Sequence, residues 1–183
     1  VNVQYVLGHP TGDALRQARI LIVNCPGDGV SGYELQVKDW VAAGGLLLTT
    51  DWAIEPLQRM FPALIRWNGK TTRDECIKLD PRTVRKDGLV PSLDMTVPDQ
   101  PVWWLEGSSY PFTVSSEVDV LLTSEELKRR YDSSLVAVQW NHGLGKVRHL
   151  ISHIYLQRTE SRSDEDKRAF SETLEKYAMD DLV

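Results

Sequence analysis

Residues 37–51 constrain the fold more tightly than any other stretch of this chain. They run from the second half of an amphipathic helix through Gly44 and Gly45 into Leu46, Leu47 and Leu48, and end on Thr49, Thr50 and Asp51. Tyr33, Val37, Trp40 and Val41 recur at i, i+4, i+7 and i+8, which puts them on one helix face. A glycine just past such a face supplies the left-handed residue that ends a helix. The leucine triplet then reads as a buried strand. The run from Arg19 through Ile20, Leu21, Ile22 and Val23 to Asn24, placed before the helix, reads as another buried, parallel one. Strand, helix and strand in that order make a β-α-β unit with a right-handed crossover. In open α/β sheets, ligands and reacting groups lie just beyond the carboxyl ends of the strands. Thr50 and Asp51 therefore mark where chemistry is expected.

The remaining chain fits around that unit. Cys25, Pro26, Gly27, Asp28 and Gly29 form a turn, and Ser31 with Glu34 has the spacing of a capping box at a helix start. A short helix is expected over 55–61, with Pro56 in its first turn. Periodicity is poor from 62 to 100, which reads as extended excursions and a hairpin with an edge strand over 75–79, and 62–117 as a whole is an irregular insertion. Val118 to Leu122 reads as a core strand. Residues 135–140 and 146–151, joined by Asn141, His142, Gly143, Leu144 and Gly145, read as a late antiparallel hairpin. A last helix is expected from about 163, with Phe170, Leu174, Tyr177 and Ala178 on one face. The fold class is α/β, one domain over 1–183 with a mostly parallel sheet.

Composition excludes several classes of function. The net charge of -5 opposes a nucleic-acid surface, which needs a basic face. No apolar run approaches the ~20 residues that span a bilayer. Two cysteines are too few for a disulfide framework and suit a reducing cytoplasm. The chain opens on Val1 without a secretory signal pattern, and it is expected to be a piece of a longer cytoplasmic protein.

The order strand, helix ending in Gly44-Gly45, strand with a polar tip, late hairpin with Gly143-Leu144-Gly145-Lys146-Val147, and then Ser152-His153 resembles class I glutamine amidotransferase-like domains. The resemblance covers roughly 19–62 and 118–178. It implies a three-layer, flavodoxin-like arrangement with a nucleophile elbow after a central strand and a histidine after a later one. Carried over by position, Asp51 or Thr50 takes the elbow and His153 the histidine. A thioester mechanism needs a sulfur nucleophile with a histidine in reach. No cysteine stands at this elbow, and residues 49–53 hold no elbow glycine. The resemblance therefore points to a non-catalytic member that binds a small ligand or a protein partner, a second copy of the chain included.

The candidate sites are weighed in that light. Gly27-x-Gly29-x-x-Gly32, between a strand and a helix, has the form of a dinucleotide fingerprint, with Asp51 at the next strand tip. Pro26 and the Ser31 cap favour a plain turn, so no cofactor is expected, and a dinucleotide is the alternative. Asp51 reads first as a helix cap and second as a ligand-binding acid. His149 and His153 would share a helix face as metal ligands, but on a strand they lie ~13 Å apart. No metal is expected, and both read as core or rim histidines. Cys25 reads as an inert thiol, with a Cys25–His153 hydrolytic pair as the alternative to Asp51 with His153. Trp103 and Trp104 are adjacent, so at most one of them enters the core. Trp104, Tyr110 and Glu106 are the candidate recognition surface. Gly27, Gly29, Ser31, Asp51, Trp104, Tyr110 and His153 together would outline a pocket.

Overall fold

Strand β1 (Ile20–Val23) follows a short helix α1 (Gly12–Gln17) and leads through a 3-10 turn at Asp28–Val30 into α2 (Glu34–Ala42). Strand β2 (Leu46–Thr50) comes next and pairs parallel with β1, Ile20 opposite Leu46 and Val23 opposite Thr49. This is the β-α-β unit expected from residues 19–51. The computed structural model describes residues 7–80, 82 and 102–153, and the architecture is given for those. After β2, a 3-10 turn at Asp51–Ala53 runs into α3 (Ile54–Met60). Four short strands follow: β3 (Ile65–Trp67), β4 (Glu75–Lys78), β5 (Val102–Leu105) and β6 (Phe112–Val114). The chain returns to the main sheet through β7 (Asp119–Thr123), α4 (Glu125–Tyr131), β8 (Leu135–His142) and β9 (Gly145–Leu150).

The main sheet has the order β1-β2-β9-β8-β7. Both β1 and β9 pair parallel with β2, and β8 runs antiparallel to its neighbours β9 and β7. Four of the five strands thus share one direction. The late hairpin is present as β8–β9. Two antiparallel pairs, β3–β6 and β4–β5, make small separate sheets. The helix expected beyond residue 163 lies outside the described residues.

Helix α2 ends as its glycines require. The Gly44 amide donates to the Val41 carbonyl and the Gly45 amide to the Trp40 carbonyl, with Gly44 at φ 120. Those two bonds satisfy carbonyls that the helix end would otherwise orphan. Val37 and Val41 are fully buried, as are Leu47 and Val147. Burying each such side chain contributes about 1.5–3 kcal/mol. Gly145 must be glycine for a different reason. A Cβ there would overlap the carbonyl oxygens of Val41 and Gly45, because β9 starts in contact with the end of α2.

Three expectations change. The Ser31 capping box does not form: α2 starts at Glu34 with Tyr33 as its cap residue and no side-chain cap bond. The Glu34 carboxylate instead accepts the Gly32 amide at 2.8 Å and pairs with Arg59 at 3.0 Å. Among the described residues β1 is an edge strand, not a buried one, with Ile20 56% and Ile22 59% exposed. A β-branched run favours any pleated position, edge or centre, so the pattern alone does not separate them. The strand expected from Val118 is likewise the opposite edge, β7, with Val120 exposed.

Candidate functional site

The carboxyl ends of β1, β2 and β9 converge on three side chains. Cys25 lies two residues past β1, Asp51 directly after β2, and His153 three residues past β9. One ligand atom from each lies within 4.8 Å of the other two. The sequence reading had named all three, and the fold brings them together. Parallel pairing explains the convergence, since it sends three chain ends out of the same edge of the sheet.

Asp51 has φ 47, a left-handed conformation that is costly for a residue with a side chain. It is 1% exposed. Its role is not that of a helix cap. Oδ1 accepts the Tyr110 amide at 2.9 Å, and Oδ2 lies 3.2 Å from the Ser109 hydroxyl. The Ser109 hydroxyl also lies 2.7 Å from the Glu106 carbonyl. The Ser109 hydroxyl thus lies between two acceptors, Asp51 Oδ2 and the Glu106 carbonyl, and ties the strand end to the chain after β5. Burial pushes the Asp51 carboxyl up to about 6, against the lowering pull of the Tyr110 amide, His153 and Ser109.

His153 is positioned from below. Its Nδ1 lies 2.7 Å from Glu106 Oε2. Glu106 follows β5, and that strand is held to the end of β9 by two bonds. The Trp103 indole donates to the Ile151 carbonyl at 2.9 Å, and the Glu106 amide donates to the Ser152 hydroxyl at 3.0 Å. Ser152 itself has φ 60, which turns the chain into His153. Cys25 completes the group. Burial pushes its thiol up to about 11, the Trp52 amide pulls it back, and the charges of Asp51, Glu106 and Asp28 raise it further. At neutral pH the thiol is protonated and a poor nucleophile.

The other named residues fall outside this group or serve packing. Gly27 has φ 93, and a Cβ there would meet the Ala53 backbone at 2.8 Å, so the glycine turn packs on the start of α3. Gly29 offers its carbonyl to His9 Nδ1 at 3.1 Å, and Ser31 is exposed with its amide bonded to the Asp28 carbonyl. The Glu34 carboxylate accepts the Gly32 amide and sets a negative charge at the start of α2, the helix end on which a dinucleotide fingerprint seats phosphate. Tyr110 stacks between Trp67, at 4.3 Å, and Trp52, at 5.4 Å, so both ring faces are covered. Trp104 sits opposite Cys76 in the β4–β5 pair, while its neighbour Trp103 packs against the core. His149 lies inside β9, fully buried against Phe112, with Nδ1 2.8 Å from the Thr49 hydroxyl. Burial drives its pKa down to about 3, so it is neutral.

Two contributors escaped the sequence reading. Trp52 supplies the amide at Cys25 and a ring against Tyr110, and its indole donates to the Ser108 carbonyl at 2.7 Å. Ser109 links Asp51 to Glu106. The placement of Trp52 one residue past the elbow was a usable signal; that of Ser109 was not, since its partner is 58 positions away. A shallow cleft of about 440 Å³ lies elsewhere, lined by Gln58, Pro62, Ile65, Arg66 and Trp67. None of the three converging residues lines it.

No protein-family model matches the chain, and no curated protein matches it. Solved structures do. The chain is similar to the cytoplasmic protein STM1381 of Salmonella typhimurium LT2, at 12% identity and a TM-score of 0.54, covering 91% of this chain and 74% of that one. It is also similar to the cytoplasmic protein STM3548 of Salmonella typhimurium, at 15% identity and a TM-score of 0.51, covering 90% and 73%. A glutamine amidotransferase from Thermotoga maritima aligns at 13% identity and a TM-score of 0.46 over 83% of this chain and 58% of that one, too low a score to carry argument. At these identities the likeness concerns the fold alone: an α/β chain with a mostly parallel five-stranded sheet. Among the described residues, no helix is long and apolar enough to cross a membrane.

Proposed function

We propose that this chain is a non-catalytic amidotransferase-like domain that binds a small ligand at the carboxyl edge of its sheet, within a larger cytoplasmic protein. A three-layer, flavodoxin-like arrangement belongs to the same proposal. The observation that carries it is the state of the elbow. Asp51 stands where a thiol nucleophile would be needed, and its carboxylate holds Ser109 and Tyr110. Such a group orders a loop over the sheet edge; it does not attack a substrate. The nearby Cys25 is a protonated thiol. What remains is a partly buried set of convergent polar groups beside an aromatic stack, the composition of a binding site.

A second reading has one observation in its favour. Cys25, His153 and Glu106 follow the order nucleophile, base and orienting carboxylate. A hydrolase would use them so, and that reading stands as the alternative.

Thermal unfolding against a panel of amino acids, nucleotides, dinucleotides and divalent metals tests the proposal. A ligand at 100 times its Kd adds ~2.7 kcal/mol, a few degrees at this size. A shift with one class that disappears in His153→Gln supports the proposed site. A flat panel, together with fast alkylation of Cys25 at neutral pH, would transfer the reading to the hydrolase.

A further inference from the structure

Three different metal-ligand types meet at one point, and one of them is already supported from behind. Zinc-type ions take Cys sulfur at ≈ 2.3 Å, His nitrogen at ≈ 2.0–2.1 Å and carboxylate oxygen at ≈ 2.0–2.2 Å. In a tetrahedral shell the ligand atoms then stand roughly 3.5 Å apart. The Cys25, Asp51 and His153 ligand atoms lie within 4.8 Å of one another, so closure by about 1 Å makes the shell.

We propose that Cys25, Asp51 and His153 bind one divalent zinc-type metal ion, with Glu106 orienting His153 and a fourth position left for water or a ligand. The inference rests on the reading of this sheet edge as a ligand site and names the ligand. The Nδ1 of His153 faces Glu106 Oε2 at 2.7 Å, which assigns Nε2 to the metal. A carboxylate behind a ligating histidine is the usual second support of a metal site, fixing the tautomer and ring direction. Asp51 accepts from Tyr110, Ser109 and the Ser152 backbone, and a carboxylate has about four lone pairs, so one remains to ligate without releasing the loop. The mixed sulfur, nitrogen and oxygen set suits zinc or cobalt over magnesium or calcium, which take oxygen. Three protein ligands with one position open is the arrangement of sites that act on a bound molecule. Binding releases the Cys25 thiol proton to solvent, and no electron is transferred.

The test is a titration of metal-stripped protein with Co2+, read by absorption. We expect one equivalent to bind with a thiolate-to-cobalt charge-transfer band and tetrahedral d–d bands. Cys25→Ser should lose the charge-transfer band, while Cys76→Ser keeps it. Glu106→Gln should weaken binding by about 10- to 100-fold. Zn2+ should displace the cobalt and protect Cys25 from iodoacetamide in the unaltered protein, a result that does not depend on how any variant folds. Absence of the band in the unaltered protein, or its survival in Cys25→Ser, overturns the proposal. Should cobalt fail while an organic ligand from the panel still shifts unfolding, the metal is wrong and the ligand site stands. Should metal-free Cys25 alkylate rapidly at neutral pH, the non-catalytic reading falls instead.

Discussion

The two ends of β2 are built on opposite physics. At its start, Gly45 and Gly145 let β2, β9 and the end of α2 touch backbone to backbone, and the Gly45 position has the Trp40 ring against it. Shape decides everything there. At its end, five residues on, Thr50 and Asp51 are buried polar groups held by hydrogen bonds from distant parts of the chain. There charge and proton position decide. One strand thus has a sterically closed end and a chemically loaded one, and substitutions should behave differently at each.

The largest effect is expected at the closed end. Gly145→Ala forces a methyl into the carbonyl oxygens of Val41 and Gly45, which cannot rotate away. Urea unfolding should show a loss of about 3 kcal/mol or more, at the upper end of overpacking costs. A loss below about 1 kcal/mol would mean that β9 can slide off α2. At the loaded end, Asp51→Ala should cost about 2–3 kcal/mol by stranding the Tyr110 amide in a buried site, while Ser109 keeps the Glu106 carbonyl. Asp51→Asn keeps an acceptor and should recover a large part of that. Equal losses in the two variants would show that charge, not hydrogen bonding, is what the loop needs.

The pH dependence of stability sharpens the contrast, because two buried groups pull in opposite directions. His149 falls from 6.5 to about 3 on folding, so the unfolded chain takes the proton first. Its contribution is complete above 6.5 and is lost as pH falls from there to about 3. Asp51 rises from 3.8 to about 6, so the folded chain holds the proton first, and stability is gained as pH falls from about 6 to 3.8. That gain is about 3 kcal/mol. In metal-free protein the two should offset each other between pH 6 and 4. His149→Leu should leave a molecule more stable at pH 4.5 than at pH 7 relative to the parent, and Asp51→Asn one that is less so. Parallel pH profiles for all three would refute the assignment. The smallest effect is expected at the edge: Ile22→Thr, at a position 59% exposed, should change stability by about 0.5 kcal/mol or less.

How far the sequence could be read divides along the same line. The closed end was legible because its signals are local. Helix periodicity, Gly44 and Gly45, and the hairpin glycines each act within a few residues of themselves. The loaded end was legible only as positions. Asp51 looks like a cap because capping is what a strand-end aspartate does with near neighbours. Its actual partners are 58 and 59 residues away, brought in by the β4–β5 pair. For the same reason Glu106 was noticed only as a neighbour of Trp104, although its carboxylate serves His153. Tyr110 reads from the sequence as part of a recognition surface, while the fold stacks it on Trp52 and Trp67. The edge position of β1 was hidden because β2 takes β9 as its other neighbour, about 100 residues beyond β2.

The most direct measurement is the rate of Cys25 alkylation by iodoacetamide in metal-free protein, followed from pH 6 to 11 with Cys76→Ser as background. The account predicts slow reaction at neutral pH and a rise only toward about 11, unchanged by His153→Gln. A rate that saturates near or below pH 7 and collapses in His153→Gln would contradict it, and would make Cys25 the nucleophile of an enzyme.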